Sequence, residues 1–349
     1  MKQGKLKICS IGLILFGVLF VGCKSDKKVP VEKTEPIDKI IGDWASFLPS
    51  GHSIWMTFYK KDGELTGEMW NVGMRRNIEG PTIKNDTLFF KRQMKVGKPN
   101  YIGGPPTGDK ILVDHKAYVK ADRLHLIMNI PQDQGKTKVA EFIAKPLPQL
   151  PIKPDLSKVT FGDPIVLFNG KDLEGWKLTN ENQKNGWSAK HGELVNDTPK
   201  RSFDPFSNYG NLRTIQEFND FNLQIEFNVP KGGNSGIYLQ GRYEAQVVDR
   251  DSKMQGKIGV GSIFSRIKPS ENVGLEGGNW QKYDITLVNR HITIVLNGQK
   301  VIDNEPLIGP TQGALNADVT KPGPIYLQGD HTLVKYRNII LKPIQYTDI

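Results

Sequence analysis

Gly232-Gly233-Asn234-Ser235-Gly236-Ile237-Tyr238-Leu239-Gln240-Gly241-Arg242-Tyr243-Glu244-Ala245-Gln246-Val247-Val248-Asp249 is the stretch that decides how this chain is read. It opens as a glycine-rich turn and continues as an alternating segment, which predicts a strand from Ser235 to Val248. Strand side chains switch faces at every residue. Tyr238, Gln240, Arg242, Glu244 and Gln246 therefore share one face, and Ile237, Leu239, Tyr243, Ala245 and Val247 the other. A solvated sheet face also alternates, but it is usually built from Lys, Glu, Thr and Ser. Tyr, Arg and two Gln around one carboxylate suit a ligand rich in hydroxyls.

The theme returns near the C-terminus. Ile-Tyr-Leu-Gln-Gly stands at 237–241 and again at 325–329, the second copy running on into Asp330-His331. A sheet that paired the two copies would gather Gln240, Glu244, Gln328 and His331.

Outward from this segment the pattern is strand and turn, with no long amphipathic helical window. Thirty-six Gly and 22 Pro fit many turns. Predicted strands after residue 160 include Phe221 to Val229, Trp280 to Val288, His291 to Leu296 and Thr332 to Leu341, with Asn169-Gly170 and Asn297-Gly298 as turn signals. These elements predict a two-sheet, jelly-roll-like sandwich over 160–345 with one sheet able to hold a ligand. A second strand-rich region spans 39–145, where Lys61-Asp62-Gly63-Glu64 signals a hairpin. It predicts a smaller β sandwich or barrel, and Gly42-Asp43-Trp44 resembles the opening of lipocalin-like barrels. The segment 146–159 between them is Pro-rich and predicts a stiff, extended linker.

Residues 1–22 have a basic start and an apolar run from Ile8 to Val21, too short for a comfortable membrane span and placed where a signal peptide belongs. Gly22-Cys23 closes the run as a bacterial lipoprotein processing site does. Cys23 is the expected lipidation site, residues 23–38 a tether, and the bacterial cell envelope (periplasmic or outer-membrane face) the expected location. Cys9 and Cys23 are the two cysteines, so the remaining chain holds no disulfide and no Cys-based metal site. The net charge of +10 lacks the aromatic-interleaved basic stripe of a nucleic-acid binder, and no nucleic-acid partner is expected.

The blocks Leu167-Phe-Asn-Gly-Lys-Asp-Leu-Glu-Gly-Trp176, Trp187 to Val195, Gly232 to Leu239, Tyr243-Glu-Ala-Gln246, Trp280 to Tyr283 and Ile325 to His331, followed by Tyr336-Arg337-Asn338-Ile339, occur in this order. Together they resemble the 3-keto-disaccharide hydrolase domain, a concanavalin A-like sandwich. One departure stands at Gly261-Ser262-Ile263-Phe264, where the resemblance leads one to expect a Tyr in place of Phe264.

The resemblance implies cleavage of glycosides already oxidised at C3. A C3 ketone acidifies the C2 hydrogen, so a modest base can form the enolate, the C1 substituent leaves, and water adds back. Such a site needs a base, an acid and a group facing the enolate oxygen. Glu244, His331 and Arg337 are the catalytic candidates. The alternatives for them are a sheet-face salt bridge, a turn histidine and an ion pair with a sheet carboxylate, respectively. Asn234, Tyr238, Gln240, Arg242, Gln246 and Gln328 are the substrate-binding candidates. Glu244 and His331 are expected to converge on a water-accessible hollow. A divalent cation held by these two is an open alternative, although no compact metal motif supports it. The remaining expectations are an upstream 3-dehydrogenase as partner and, as the alternative to an enzyme, a non-catalytic carbohydrate-binding lipoprotein.

Overall fold

The computed structural model describes residues 38–47, 53–70, 76–95, 108–131, 136–199 and 209–345. The expected leader, Cys23 and nearly all of the tether lie outside them. The described residues form strands, turns and two short 3-10 segments, with no α-helix among them and no helix long and apolar enough to cross a membrane.

Nine strands between Gly42 and Pro146 form one antiparallel sheet. Most neighbours in space are neighbours in sequence, because turns such as Asp62-Gly63, both at positive φ, reverse the chain within two residues. The exception is Gly42–Phe47, which pairs with the last strand, Thr137–Pro146. The two ends of the sheet order, Arg76–Asn77 and Glu79–Lys84, are joined through Ile78, whose N–H donates to the Gly67 carbonyl at 3.0 Å. The sheet thus curls on itself. One side chain in two points inward, and Trp44, Met56, Phe58, Met69, Leu88, Phe90, Leu124 and Leu126 fill the interior.

The C-terminal part is a sandwich. Its larger sheet runs in the order Trp187–Lys190, Glu193–Asn196, Val334–Gln345, Phe221–Asn228, Gln281–Val288, His291–Leu296, Gln299–Pro306. The smaller has the order Trp176–Leu178, Leu212–Thr214, Tyr326–Leu327, Asn234–Leu239, Tyr243–Val248. Phe221, Leu223, Ile225 and Phe227 from one sheet meet Ile237, Leu239, Ala245 and Val247 from the other in a single core. Each such side chain contributes about 1.5–3 kcal/mol on burial. Two polar ties cross the core: Ser235 Oγ to Tyr336 Oη at 2.8 Å, and Tyr283 Oη donating to the Gln246 carbonyl at 2.6 Å.

The single strand expected over Ser235–Val248 is a hairpin. Asn234–Leu239 and Tyr243–Val248 pair antiparallel, and the chain reverses at Gln240 (φ 51) and Gly241 (φ 64). The face assignment survives because Tyr238 sits opposite Glu244 and Gly236 opposite Gln246. Even-numbered residues of both strands keep to one face, and odd-numbered ones reach the core.

Candidate active site

The two copies of the repeated pentapeptide do pair, in antiparallel direction and centred on the tyrosine. Ile237 pairs with Leu327 and Tyr238 with Tyr326, whose rings stack 4.2 Å apart. On the outward face of the small sheet one row therefore reads Arg213, Tyr326, Tyr238, Glu244. The next reads Gln328, Gly236, Gln246, since Gln328 N–H donates to the Gly236 carbonyl at 2.9 Å. Gly236 lacks a side chain, and the Glu244 carboxylate lies in the space this leaves, where a Cβ would overlap Oε1.

His331 lies in the turn that follows Tyr326–Leu327. Thr332 fixes that turn through Asn234, accepting from its N–H and donating to its carbonyl, both at 2.9 Å. His331 Nδ1 lies 2.6 Å from Asp330 Oδ1. A carboxylate only accepts, so Nδ1 is the donor in this contact. Asp330 is close enough to Glu244, Tyr238 and Tyr326 for its charge to bear on all three. His331 is thus linked to the face that carries Glu244 through Asp330.

Access to the two differs from expectation. The Asp330 and His331 side chains are 29% and 21% exposed, but Glu244 is only 4% exposed and forms part of a sealed floor with Tyr238, Tyr326 and Gln246. Burial pushes the Glu244 carboxyl up to about 8, with a hydrogen bond shared with Tyr238 opposing the rise and the Asp330 charge adding to it. Glu244 is therefore neutral at pH 7, a proton donor. Burial also holds both tyrosines well above their ordinary range, so they stay phenols. Tyr238 Oη donates to the Gln312 carbonyl at 2.8 Å, and Tyr326 Oη accepts from Asn211 Nδ2 at 3.0 Å.

Asn234 and Gln246 are bonded to each other, Nε2 of Gln246 to Oδ1 of Asn234 at 3.1 Å. The Gln246 and Gln328 Oε1 atoms are buried and accept no hydrogen bond from the protein. Two acceptors in this state beside Glu244 suit hydroxyl donors of a ligand. Phe264 stands at the sheet edge next to Glu244, its N–H donating to the Glu244 carbonyl at 2.9 Å.

Three candidates are placed elsewhere. Gln240 and Arg242 lie at the hairpin end, away from Gln328, because antiparallel pairing sends the two glutamines of the repeat to opposite ends. Arg242 is fully buried and donates to Gln240 Oε1 at 2.9 Å and to the Lys321 carbonyl, and Gln240 Nε2 donates to the Asn219 carbonyl at 2.6 Å. They hold the hairpin turn. Arg337 belongs to the other sheet. Its neighbour Tyr336 points into the core, so Arg337 points to the far outer surface, paired with Glu226 at 2.7 Å and 4.1 Å above the Trp280 ring. Two sheets separate it from Glu244, which removes it from the chemistry. Arg337→Ala is expected to leave turnover within about twofold and to cost about 1 kcal/mol, the usual worth of an exposed ion pair or cation–π contact. Steady-state kinetics and urea denaturation of that variant check this.

Tyr326, Asp330, Asn211 and Gly236 are site residues that the sequence reading did not select. The signal for the first two was in the second copy of the repeat. Among the described residues no group of three or more His, Cys, Asp or Glu is arranged to hold a metal. No step below runs through a divalent cation.

The C-terminal part is thus a two-sheet β sandwich that carries a buried carboxyl on the outward face of its smaller sheet. Residues 163–342, more than half of the chain, match the 3-keto-alpha-glucoside-1,2-lyase-like domain, and the chain belongs to that family. A 3-keto-disaccharide hydrolase of Bacteroides thetaiotaomicron is 24% identical in a match 166 residues long that covers 40% of this chain, and the chain spans 57% of that relative's length. Two solved structures from Parabacteroides distasonis, both provisionally named glycosyl hydrolases, are also similar. One is 30% identical with a TM-score of 0.42, covering 55% of this chain and 92% of its own. The other is 18% identical with a TM-score of 0.43, covering 52% and 94%.

Proposed function

We propose that the protein cleaves glycosides carrying a ketone at C3. The observation that carries this reading is a buried carboxyl kept protonated at neutral pH, with Asp330 beside it holding Nδ1 of His331. Family membership and the name of the B. thetaiotaomicron relative support it.

In the proposed sequence His331 Nε2 removes the C2 proton, and the C2–H electron pair forms the enolate with the C3 carbonyl. The Tyr326 phenol faces the developing oxygen charge. The enolate collapses to expel the C1 oxygen substituent, and Glu244 gives that oxygen its proton. The product is an enone and a free alcohol. Water then adds at C1 while Glu244 takes one of its protons, and C2 recovers a proton from His331. The bonds made and broken sum to hydrolysis, and both residues end as they began. Placing an acid and a base at fixed positions is worth about 10²–10⁴ in rate for each.

Purified protein incubated with an aryl 3-keto-glucoside should release the aglycone, and the same glucoside bearing a C3 hydroxyl should be stable. Equal release from both would end the elimination scheme. Sugar binding with no release from either would leave a carbohydrate-binding lipoprotein.

The substrate requires an enzyme that oxidises a sugar C3 hydroxyl, so we place a 3-dehydrogenase upstream. We also propose envelope attachment through lipid on Cys23, motivated by the apolar run ending in Gly22-Cys23. Cys23→Ser should then move the protein from the detergent phase to the aqueous phase in Triton X-114 partitioning. An unchanged partition would refute the anchor.

A further inference from the structure

Between the strand Gln299–Pro306 and the strand Tyr326–Leu327 lies a stretch of 307–325 with no strand of its own. A loop this long inside a compact fold is uncommon and needs outside support to stay ordered. One side of it closes over the active-site floor. Thr311 Oγ1 accepts the Glu244 N–H at 3.0 Å and donates to the Arg242 carbonyl at 3.0 Å, and Thr311 N–H donates to the same carbonyl at 2.8 Å. The Gln312 carbonyl takes the Tyr238 hydroxyl, and Gly313 packs so tightly on Tyr238 that a Cβ would overlap its hydroxyl. Leu315 N–H donates to the Gly241 carbonyl at 2.8 Å.

The other side of the same loop is held by the N-terminal barrel. Ser53 Oγ donates to the Thr311 carbonyl at 2.9 Å, so one residue is bonded to the barrel through its backbone and to Glu244 through its side chain. Gly309 lies flat on the Trp55 indole, where a Cβ would collide with the ring. Trp55 and Trp70 are in contact, centroids 3.8 Å apart, and Ala317 joins them in a small apolar cluster of their own. Arg266 stands over both rings, 4.4 and 4.0 Å from their centroids, and donates to the Pro310 carbonyl. Asp43 on the neighbouring barrel strand adds a carboxylate within the reach of Arg266 and Arg290. These barrel residues are outward-facing by strand parity, and Trp55 and Trp70 are nevertheless buried, 2% and 9% exposed, because the loop and Arg266 cover them.

We infer that the N-terminal barrel is an intramolecular clamp: through Ser53, Trp55 and Trp70 it presses the 309–315 loop onto Glu244 and Tyr238 and so keeps water from the catalytic acid. Ser53 and Trp55 are then positioning residues of a reaction whose atoms they never touch. This inference rests on the proposed role of Glu244, but the clamp itself is measurable without turnover. The sealing matters because a neutral carboxyl depends on exclusion of water, and a loop that opens would rehydrate it and return it toward an ordinary carboxylic acid.

The test uses the full chain with Trp55→Leu, the gentler Ser53→Ala, and Phe89→Ala on the exposed side of the barrel as control. Amide hydrogen exchange is read at Glu244, Thr311 and Leu315 against the strand Phe221–Asn228 in the opposite sheet. We expect Trp55→Leu to raise exchange at the three amides at least tenfold, Ser53→Ala to raise it several-fold, and Phe89→Ala to change nothing, with the opposite sheet protected throughout. In the pH profile of kcat the alkaline limb should move to lower pH in the same order. Wild-type exchange at all three amides in a folded Trp55→Leu protein would overturn the clamp. A shift of exchange with no shift of the limb would overturn its catalytic role. If wild-type protein fails to turn over 3-keto-glucosides, the functional reading falls while the exchange result still decides the clamp.

Discussion

Glu244→Gln is expected to lower kcat on a 3-keto-glucoside by about 10³ with KM changed little, the loss typical of removing a positioned general acid. The substitution keeps shape and hydrogen-bonding capacity at a buried position, so the effect isolates the proton. It should also remove the alkaline limb of the activity profile. That limb follows deprotonation of a carboxyl that burial holds up to about 8. Stability provides an independent reading of the same proton. The unfolded chain loses it near the ordinary value of 4.5, whereas the folded chain keeps it to about 8. Between these values the folded state binds more protons than the unfolded one, so stability falls as pH rises, by at most about 1.4 kcal/mol per pH unit. The contribution is fully present below about 4.5 and gone above about 8. Glu244→Gln has no such slope, and urea midpoints of the two proteins should converge at low pH and separate, with the variant the more stable, toward pH 8. Parallel midpoints across the range, or a variant with wild-type kcat, would show that Glu244 is an ordinary ionised carboxylate.

The sequence pattern carried the polar face with Tyr238, Glu244 and Gln246 on it because a period of two survives a hairpin whose paired residues sum to an even number. The turn inside the predicted strand escaped because Gln240-Gly241 lies between two alternating runs that continue one another in parity. Pairing of the repeated pentapeptide was legible, but its direction was not. Antiparallel registration brings tyrosine to tyrosine and parts the glutamines, and nothing local to either copy specifies it. Arg337 was misassigned for a related reason. Being close in sequence to His331 says little about place when the strand Val334–Gln345 crosses to the other sheet and Tyr336 takes the inward direction. The cover over Glu244 left no trace in the pattern, since the stretch 307–325 has no periodicity and its support comes from residues more than 250 positions earlier.

Gly236→Ala should be nearly as damaging as removing the acid, although alanine suits a strand better than glycine in general. Gly236 is not at a positive φ and no turn requires it. The reason it is glycine is lateral. Its missing side chain leaves a slot between Gln328 and Gln246, and the Glu244 carboxylate occupies that slot against the backbone. A methyl group there overlaps Oε1, Cδ and Cγ of Glu244, while the Glu244 backbone is held by Thr311 and its neighbour Tyr238 by the Gln312 carbonyl. The carboxyl must leave the slot, and relief lies toward the partly exposed Asp330 and His331. Two consequences follow together. Turnover should fall by at least about 10², since a displacement near 1 Å of a catalytic group is enough for that. The displaced carboxyl, rehydrated and beside the Asp330–His331 pair, should titrate nearer the ordinary 4.5, so the stability slope between about pH 5 and 8 should shrink. A merely overpacked strand would lower stability by about 1–3 kcal/mol at every pH and leave the slope intact. Urea denaturation of Gly236→Ala at about pH 5 and pH 8 separates the two cases: equal destabilisation at both with kcat retained would mean that Glu244 does not depend on this slot.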